Sequence, residues 1–529
     1  MRLSTPAPRT IRIAGAIVVL SLFHPASGYS QTKGPPRREI LPGIATTRPV
    51  LGAPYELRGN RIVFLNWYYI QPGDLDWRNA DGKSVYVSGD SGLFEARHVG
   101  INAPRGIRIR AQKPVVQGPL FRPHRMILRD GNLFKGWTDS DYYESSDAIH
   151  WEKKARIGVD DLVKDGLYQV FVDPASAAEE RFKAVWVGEI DRAQFEAFRA
   201  ARPGDWEPHA IFLLGEKDHV ACLRGSTSPD GIHWKTQPEP LVVEYCDTWN
   251  TAYYDAALRE YVIYTRYWSV GPQSEQLPPD LRNSWTGLGR RAIGRSAAKD
   301  FRRFSPSEMI LEPSADMLPS EQLYTNCRTA IPGAPDQHLM FPTIWNGSVD
   351  DTTRIAMAAS HDGKLWHWVP GGELLKTPPF GRWDGGCIWA TPDLIELPNG
   401  DWALPYIANN VPHKYPRGKM TSDTGYAVWH KGRLCALEAE EVGEFTLIPI
   451  VARGSTLKIN AVTKRTGWVK VELLGVDGRS LAECQPITGD QHWATVTWKQ
   501  GSSLNNEKFR PVTLRIELKQ GQLFGLQFD

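Results

Sequence analysis

The chain has 529 residues and a net charge of +2, from 62 basic and 60 acidic side chains. That balance excludes nucleic acid or an anionic membrane as the organising partner, and the length exceeds one ordinary core, so two or three domains are expected. Aromatic residues are abundant, with 20 Trp, 18 Tyr and 18 Phe against 7 Met; beyond strand packing, they suit a cleft that stacks hydroxylated rings.

Residues 1–30 read as a signal peptide. Arg9 and Arg12 flank an apolar run at 13–23, and Ala26-Ser27-Gly28 forms a plausible cleavage region. The run is short for a membrane span, with an uncleaved anchor as the alternative, so the mature protein is expected to be secreted or periplasmic, with no membrane contact after signal removal. Residues 31–114 open as a Pro/Gly-rich arm and continue as strand-like runs at 61–70, 84–88 and 107–111. In the last run Ile107, Ile109 and Ala111 alternate with Arg108 and Arg110, giving an apolar face and a basic one. The basic face is either a solvated strand face or a patch for an anionic substrate.

Residues 115–430 carry five strand clusters, with a helix-like insert near 193–201 and an Asn399-Gly400 hairpin in the last. Three clusters end in the same pattern: Ser145-Ser146-Asp147-Ala148-Ile149-His150-Trp151, Ser228-Pro229-Asp230-Gly231-Ile232-His233-Trp234 and Ser360-His361-Asp362-Gly363-Lys364-Leu365-Trp366. A worn copy keeps Ser296, Asp300 and Phe304. Ser and Asp oxygens bond nearby backbone N–H groups and close a tight turn, the small residue relaxes the backbone, and Trp starts the next strand. Repeated hairpins of this kind build a radial array of small antiparallel sheets, here a five-bladed β-propeller. Residues 434–529 alternate apolar and polar side chains, as in Val469, Val471, Leu473 and in Leu514, Ile516, Leu518, and are expected to form a C-terminal β-sandwich. The fold class is therefore all-β. Six scattered cysteines contain no C-x-x-C; disulfides and isolated buried thiols are both open.

The S-x-D-[G/A]-x-x-W repeat in an aromatic-rich chain bearing an export signal resembles the five-bladed propeller glycosidases, the invertase/fructanase and arabinanase/xylosidase families. It is most similar to bacterial proteins with an invertase-type N-terminal domain. The resemblance covers about residues 115–430 and implies a glycoside hydrolase acting on a poly- or oligosaccharide, without a cofactor. The invertase W-x-N-D-P-N and R-D-P motifs are absent, as is a Glu-Cys pair in the propeller, so no catalytic residue transfers by motif. A non-catalytic carbohydrate-binding propeller and a sialidase-like hydrolase, which would need three converging arginines, are the alternatives.

Candidate site residues follow from position, since ligands of a propeller sit where the innermost strands begin. Glycoside hydrolysis needs two carboxyl groups, one an acid and the other a nucleophile or base. Asp247, Asp384 and Glu321 are the candidates, with Glu321 as the acid. Two of them facing each other across a Trp-lined pocket would support hydrolysis; carboxylates paired with arginines would favour binding. Arg122, His124, Gln169, Trp249, Asn250, Tyr324, Asn326, Trp383 and His413 are the candidate substrate-binding residues. His150, His233 and His367 each adjoin a repeat Trp on different hairpins, and no metal site is expected.

Overall fold

Why the repeat closes is visible in its hydrogen bonds. In the computed structural model, the Ser145, Ser228 and Ser360 hydroxyls accept from the N–H of Ala148, Gly231 and Gly363, each at 2.9 Å. Asp147, Asp230 and Asp362 each accept two further backbone N–H groups, from the residues two and three ahead. The small residue stands in the left-handed region, at φ 61° for Ala148, 82° for Gly231 and 68° for Gly363. Its carbonyl accepts from the repeat's own indole, Trp151, Trp234 or Trp366. It also accepts a second donor from another sheet, as described below.

The structure describes residues 53–83, 97–157, 169–207, 210, 218–269, 289–507 and 510–529. The expected signal peptide, most of the arm and the strand at 84–88 lie outside them. Strands dominate. Three consecutive four-stranded antiparallel sheets run from Met126–Asp130 to Glu152–Arg156, from Gln169–Val172 to Lys235–Thr236, and from Thr251–Asp255 to Glu308–Leu311. A fourth sheet runs from Glu321–Thr325 to His367–Lys376, and a fifth from Cys387–Ala390 to Ser422–Trp429. Val115–Gln117, which precedes the first sheet in the chain, is the last strand of the fifth, pairing with Tyr426, Ala427 and Val428. The helix-like insert is a helix, Arg192–Ala201, started by an Asp191–Gln194 capping box and anchored by Phe195 and Phe198.

The sheets pack in sequence, and the fifth packs on the first. Trp137 and Leu128 of the first meet Val170 and Trp186 of the second; Phe171 and Leu223 of the second meet Ala252 and Ile263 of the third. Tyr264 and Ile293 of the third meet Met340 and Trp366 of the fourth. Ile127 and Phe134 of the first join Ile395, Tyr426 and Val428 of the fifth. The repeat carbonyls bind across these seams. Trp137 Nε1 donates to Gly231 O, Tyr264 Oη to Gly363 O and Tyr426 Oη to Ala148 O, each at 2.7 Å.

The tail strands form one six-stranded sheet, built on Cys435–Thr446, Leu457–Leu473, Asp490–Thr495 and Leu514–Phe528, with Arg61–Val63 and Arg108–Ala111 taken from the N-terminal region. Val469, Val471, Leu514, Ile516 and Leu518 are fully buried, as their alternation requires. Arg108 bonds Glu438 and Glu440, and Arg110 lies 4.0 Å from Glu438, so the basic face of this strand is matched by its neighbour. All six cysteines are buried, and none is joined in a disulfide. No helix among the described residues is long and apolar enough to cross a membrane.

Candidate functional site

A cavity of about 1010 Å³ opens where the lead-in segments of the sheets converge. It is lined by Phe121, Arg122, His124, Asp247, Thr248, Trp249, Tyr324, Trp389, Asn409, His413, Ser422 and Asp423, among others. The segment 246–250 owes its shape to Asn250, a buried side chain. Its Nδ2 donates to Cys246 O at 3.0 Å and Thr248 O at 2.8 Å, while its Oδ1 accepts from Arg266 N at 3.1 Å. This bracing sets Asp247, Thr248 and Trp249 on the cavity wall.

Asp247 accepts from Arg266 Nη1. The Arg266 guanidinium is buried, donates from Nη2 to Tyr324 O at 2.8 Å, and lies 4.1 Å over the Tyr324 ring. The Tyr324 hydroxyl in turn contacts His413 Nε2 at 2.9 Å, and its ring packs against Trp389 at 5.0 Å and Trp345 at 5.6 Å. Asp351 fixes the loop that carries His413: its carbonyl accepts from His413 N at 3.2 Å and its carboxylate from Trp345 Nε1 at 2.8 Å. An aromatic wall is thus locked by polar contacts at its back.

Of the residues named from sequence, Arg122, His124, Asp247, Trp249, Tyr324 and His413 line this cavity. His124 Nε2 lies 3.3 Å from Asp139. Asn250 acts behind the wall. Gln169 and Asn326 are spent on joining sheets: Gln169 bonds the backbone of Ala252 through both amide atoms, and Asn326 accepts from Thr251 Oγ1 at 2.6 Å and donates to Tyr264 O at 3.1 Å. Trp383 packs on Tyr406 and beside Gly118 and Gly425, outside the lining. Asp384 is buried and bonds Arg382 Nε at 3.1 Å. Glu321 binds Arg354 Nη1 at 2.5 Å and accepts from Leu318 N at 2.8 Å. Neither Asp384 nor Glu321 is among the lining residues. All three carboxylates named from sequence are therefore arginine-bound.

Trp389, Phe121 and Asp423 reach the cavity without having been named. Asp423 opens the strand Ser422–Trp429, the outer partner of Trp402–Asn409. In an antiparallel sheet the third strand starts at the same end as the first, so the inner-strand rule had a second half that points to Asp423.

No family model and no curated protein matches the chain. Among solved structures, similar ones include a protein described as a glycoside hydrolase, with TM-score 0.39 and 12% identity over 60% of this chain and 92% of that one. The GH32 β-fructofuranosidase of Bombyx mori gives 0.32 and 8% over 81% and 94%. An endo-arabinase from Bacteroides thetaiotaomicron gives 0.32 and 12% over 60% and 97%. The last two are of the invertase and arabinanase kinds that the repeat resembles. At such TM-scores the likeness says nothing of the site, whose chemistry rests on its own residues.

Proposed function

We infer that residues 115–430 form a five-bladed propeller whose central cavity binds a saccharide, and that the tail sheet bends on itself as a sandwich at the bulges of its long strands. The observation that carries the binding reading is the lining itself. Phe121, Trp249, Tyr324 and Trp389 put aromatic side chains on the wall beside the hydrogen-bonding groups of Thr248, Asn409 and Ser422, the mix that sugar rings require. Arginine pairing of Asp247, Asp384 and Glu321 favours binding over turnover, because each carboxylate is already tied to a guanidinium and two of the three lie off the cavity. Calorimetric titration against a panel of plant and bacterial glycans tests this. Saturable binding without new reducing ends is expected, and no binding to any glycan defeats it. Export follows from residues 1–30, and N-terminal sequencing of recovered mature protein checks the cleavage.

Hydrolysis is the second reading, favoured by one observation: Asp247 and Asp423 line the same cavity. Asp247, held as an ion pair by Arg266, suits the nucleophile or base, leaving Asp423 as the proton donor. If sugars are released, Asp247→Asn and Asp423→Asn should each lower kcat at least 100-fold, on the order expected for losing acid–base catalysis. Release that survives both changes rules this pair out.

A further inference from the structure

One cation in the cavity wall has no matching anion. Arg122 is 1% exposed, yet it lines the cavity. Its Nε donates to Gly425 O at 3.2 Å and its Nη1 to Pro123 O at 2.8 Å. The other terminal nitrogen, Nη2, is buried without a hydrogen-bond partner. The groups whose charge acts on Arg122 are Tyr426, Tyr406 and Cys327, none of them a carboxylate. Three other buried cations meet carboxylates: Lys183 meets Asp173 at 3.1 Å, Arg202 meets Asp205 at 2.7 Å, and Arg266 meets Asp247; Arg224 and Arg479 bond backbone carbonyls as Arg122 does, but neither lines this cavity. Burial pushes the Arg122 pKa down to about 10, which leaves the side chain charged at neutral pH. A charge withdrawn from water is costly unless an opposite charge meets it, so an unmatched guanidinium on a ligand cavity is a site for a ligand's own anion.

The two acidic groups on the wall do not fill that place. Asp247 is already neutralised by Arg266, and Asp423 is exposed. His124 and Arg125 also line the cavity, and both contact Asp139, so Arg122 is the cation left with its charge uncompensated. A guanidinium offers a planar fork that matches a carboxylate or sulfate in geometry as well as charge. The whole-chain charge of +2 supplies no general attraction for polyanions, so any preference must come from such a local group.

We propose that the central cavity selects acidic saccharides, and that Arg122 is the specificity residue that receives the sugar's oxyanion, the carboxylate of a uronate or the sulfate of an ester. The proposal rests on the saccharide-binding reading and adds the ligand's charge to it. Arg122 would gain the opposite charge that it otherwise lacks, while Phe121 and Trp249 pack on the sugar ring.

The test is calorimetric titration of the full-length mature protein with three ligand sets. These are oligogalacturonates and unsulfated hyaluronan oligosaccharides, the same oligosaccharides after carboxyl reduction, and chondroitin sulfate oligosaccharides. Acidic forms should bind at least 10-fold more tightly than their carboxyl-reduced counterparts, the gain expected of one charge-assisted bond. That preference should shrink as salt rises from 50 to 500 mM. Tight binding of uronates identifies the carboxylate as the anion; tight binding confined to the chondroitin sulfates identifies the sulfate. Arg122→Gln and Arg122→Lys, checked for an unchanged circular dichroism spectrum, should bring the acidic-to-neutral affinity ratio toward one, Lys less completely than Gln. Should the variants not fold, the wild-type ratio decides alone. Equal affinity for acidic and reduced forms overturns the proposal and leaves saccharide binding intact. Binding of no saccharide overturns both.

Discussion

Asp230 and Glu244 show how the same side-chain chemistry is pushed in opposite directions by its surroundings. Burial pushes the Asp230 pKa up, but bonds from the His233 N–H and ring, the Ile232 N–H and the Ser228 hydroxyl outweigh it and hold the group well below the usual carboxylate range. A depressed folded-state pKa gives stability that is present above the unfolded value and lost as pH falls through the folded one. The urea midpoint of the wild type should therefore fall between pH 4 and pH 2, and Asp230→Asn should flatten that fall. Glu244 is buried against Glu207, and its pKa is raised to about 7, desolvation first and the Glu207 charge second. Here the folded state holds the proton more tightly, so stability is lost as pH rises from the unfolded value toward 7. Gln at this position still reaches Thr265 and Ser307, whose contacts to Glu244 are 2.7 and 3.1 Å. Glu244→Gln should be more stable than wild type at pH 8, by about 1–3 kcal/mol, and should lose that advantage near pH 4. The site was legible at this scale to the extent that it is positional. Lead-in residues such as Asp247 and Trp249 can be picked from the strand pattern. Whether Gln169 or Asn326 faces a ligand or a neighbouring backbone depends on the seam between two sheets, and nothing local encodes that.

The turn repeat was the most legible element. The Ser and Asp bonds are all within three residues, so the heptad of letters contains its own explanation. The worn copy shows what is lost without it: Asp300 still accepts from Arg302 N, but the Ser296 hydroxyl turns to Ser305 O. One bond of each turn was nonetheless invisible, since the distant donors to the repeat carbonyls stand 94, 99 and 278 residues away in sequence. Two outcomes test this description. Ala148 carries a Cβ at φ 61°, where its counterparts are Gly231 and Gly363, so Ala148→Gly should raise stability by about 1 kcal/mol. Tyr426→Phe removes the donor across the seam between the fifth and first sheets and should cost about 1–3 kcal/mol, because a buried acceptor loses one of its two partners. Chemical denaturation of both variants measures these changes. At the rim of the cavity Phe121 is 58% exposed and packs on Tyr143, so Phe121→Ala should weaken saccharide binding without lowering the melting temperature.

For the whole molecule, alternation of side chains announced the strands of the tail but could not say which N-terminal strands would join them. Arg61–Val63 pairs with Gly525, Leu526 and Gln527, and Arg108–Ala111 with Cys435 to Glu438. Pairing across more than three hundred residues leaves no periodic trace in either partner. Leu514–Phe528 lies between Leu457–Leu473 and Cys435–Thr446, so ending the chain at residue 513 removes an interior strand and exposes both neighbours. That truncation should yield insoluble protein rather than a shortened folded one, as expression followed by sedimentation would show.

Strand order also sets a timetable for synthesis. Val115–Gln117 leaves the ribosome before any of the five sheets and waits for Tyr426–Val428, while Arg61–Val63 waits for the last few residues of the chain. Neither the ring nor the tail sheet can be finished while translation continues, and partners so distant are slow to find each other. Through that interval the nascent polypeptide carries open strand edges, so its yield in cells should depend on a holding chaperone more than on the stability of the finished fold.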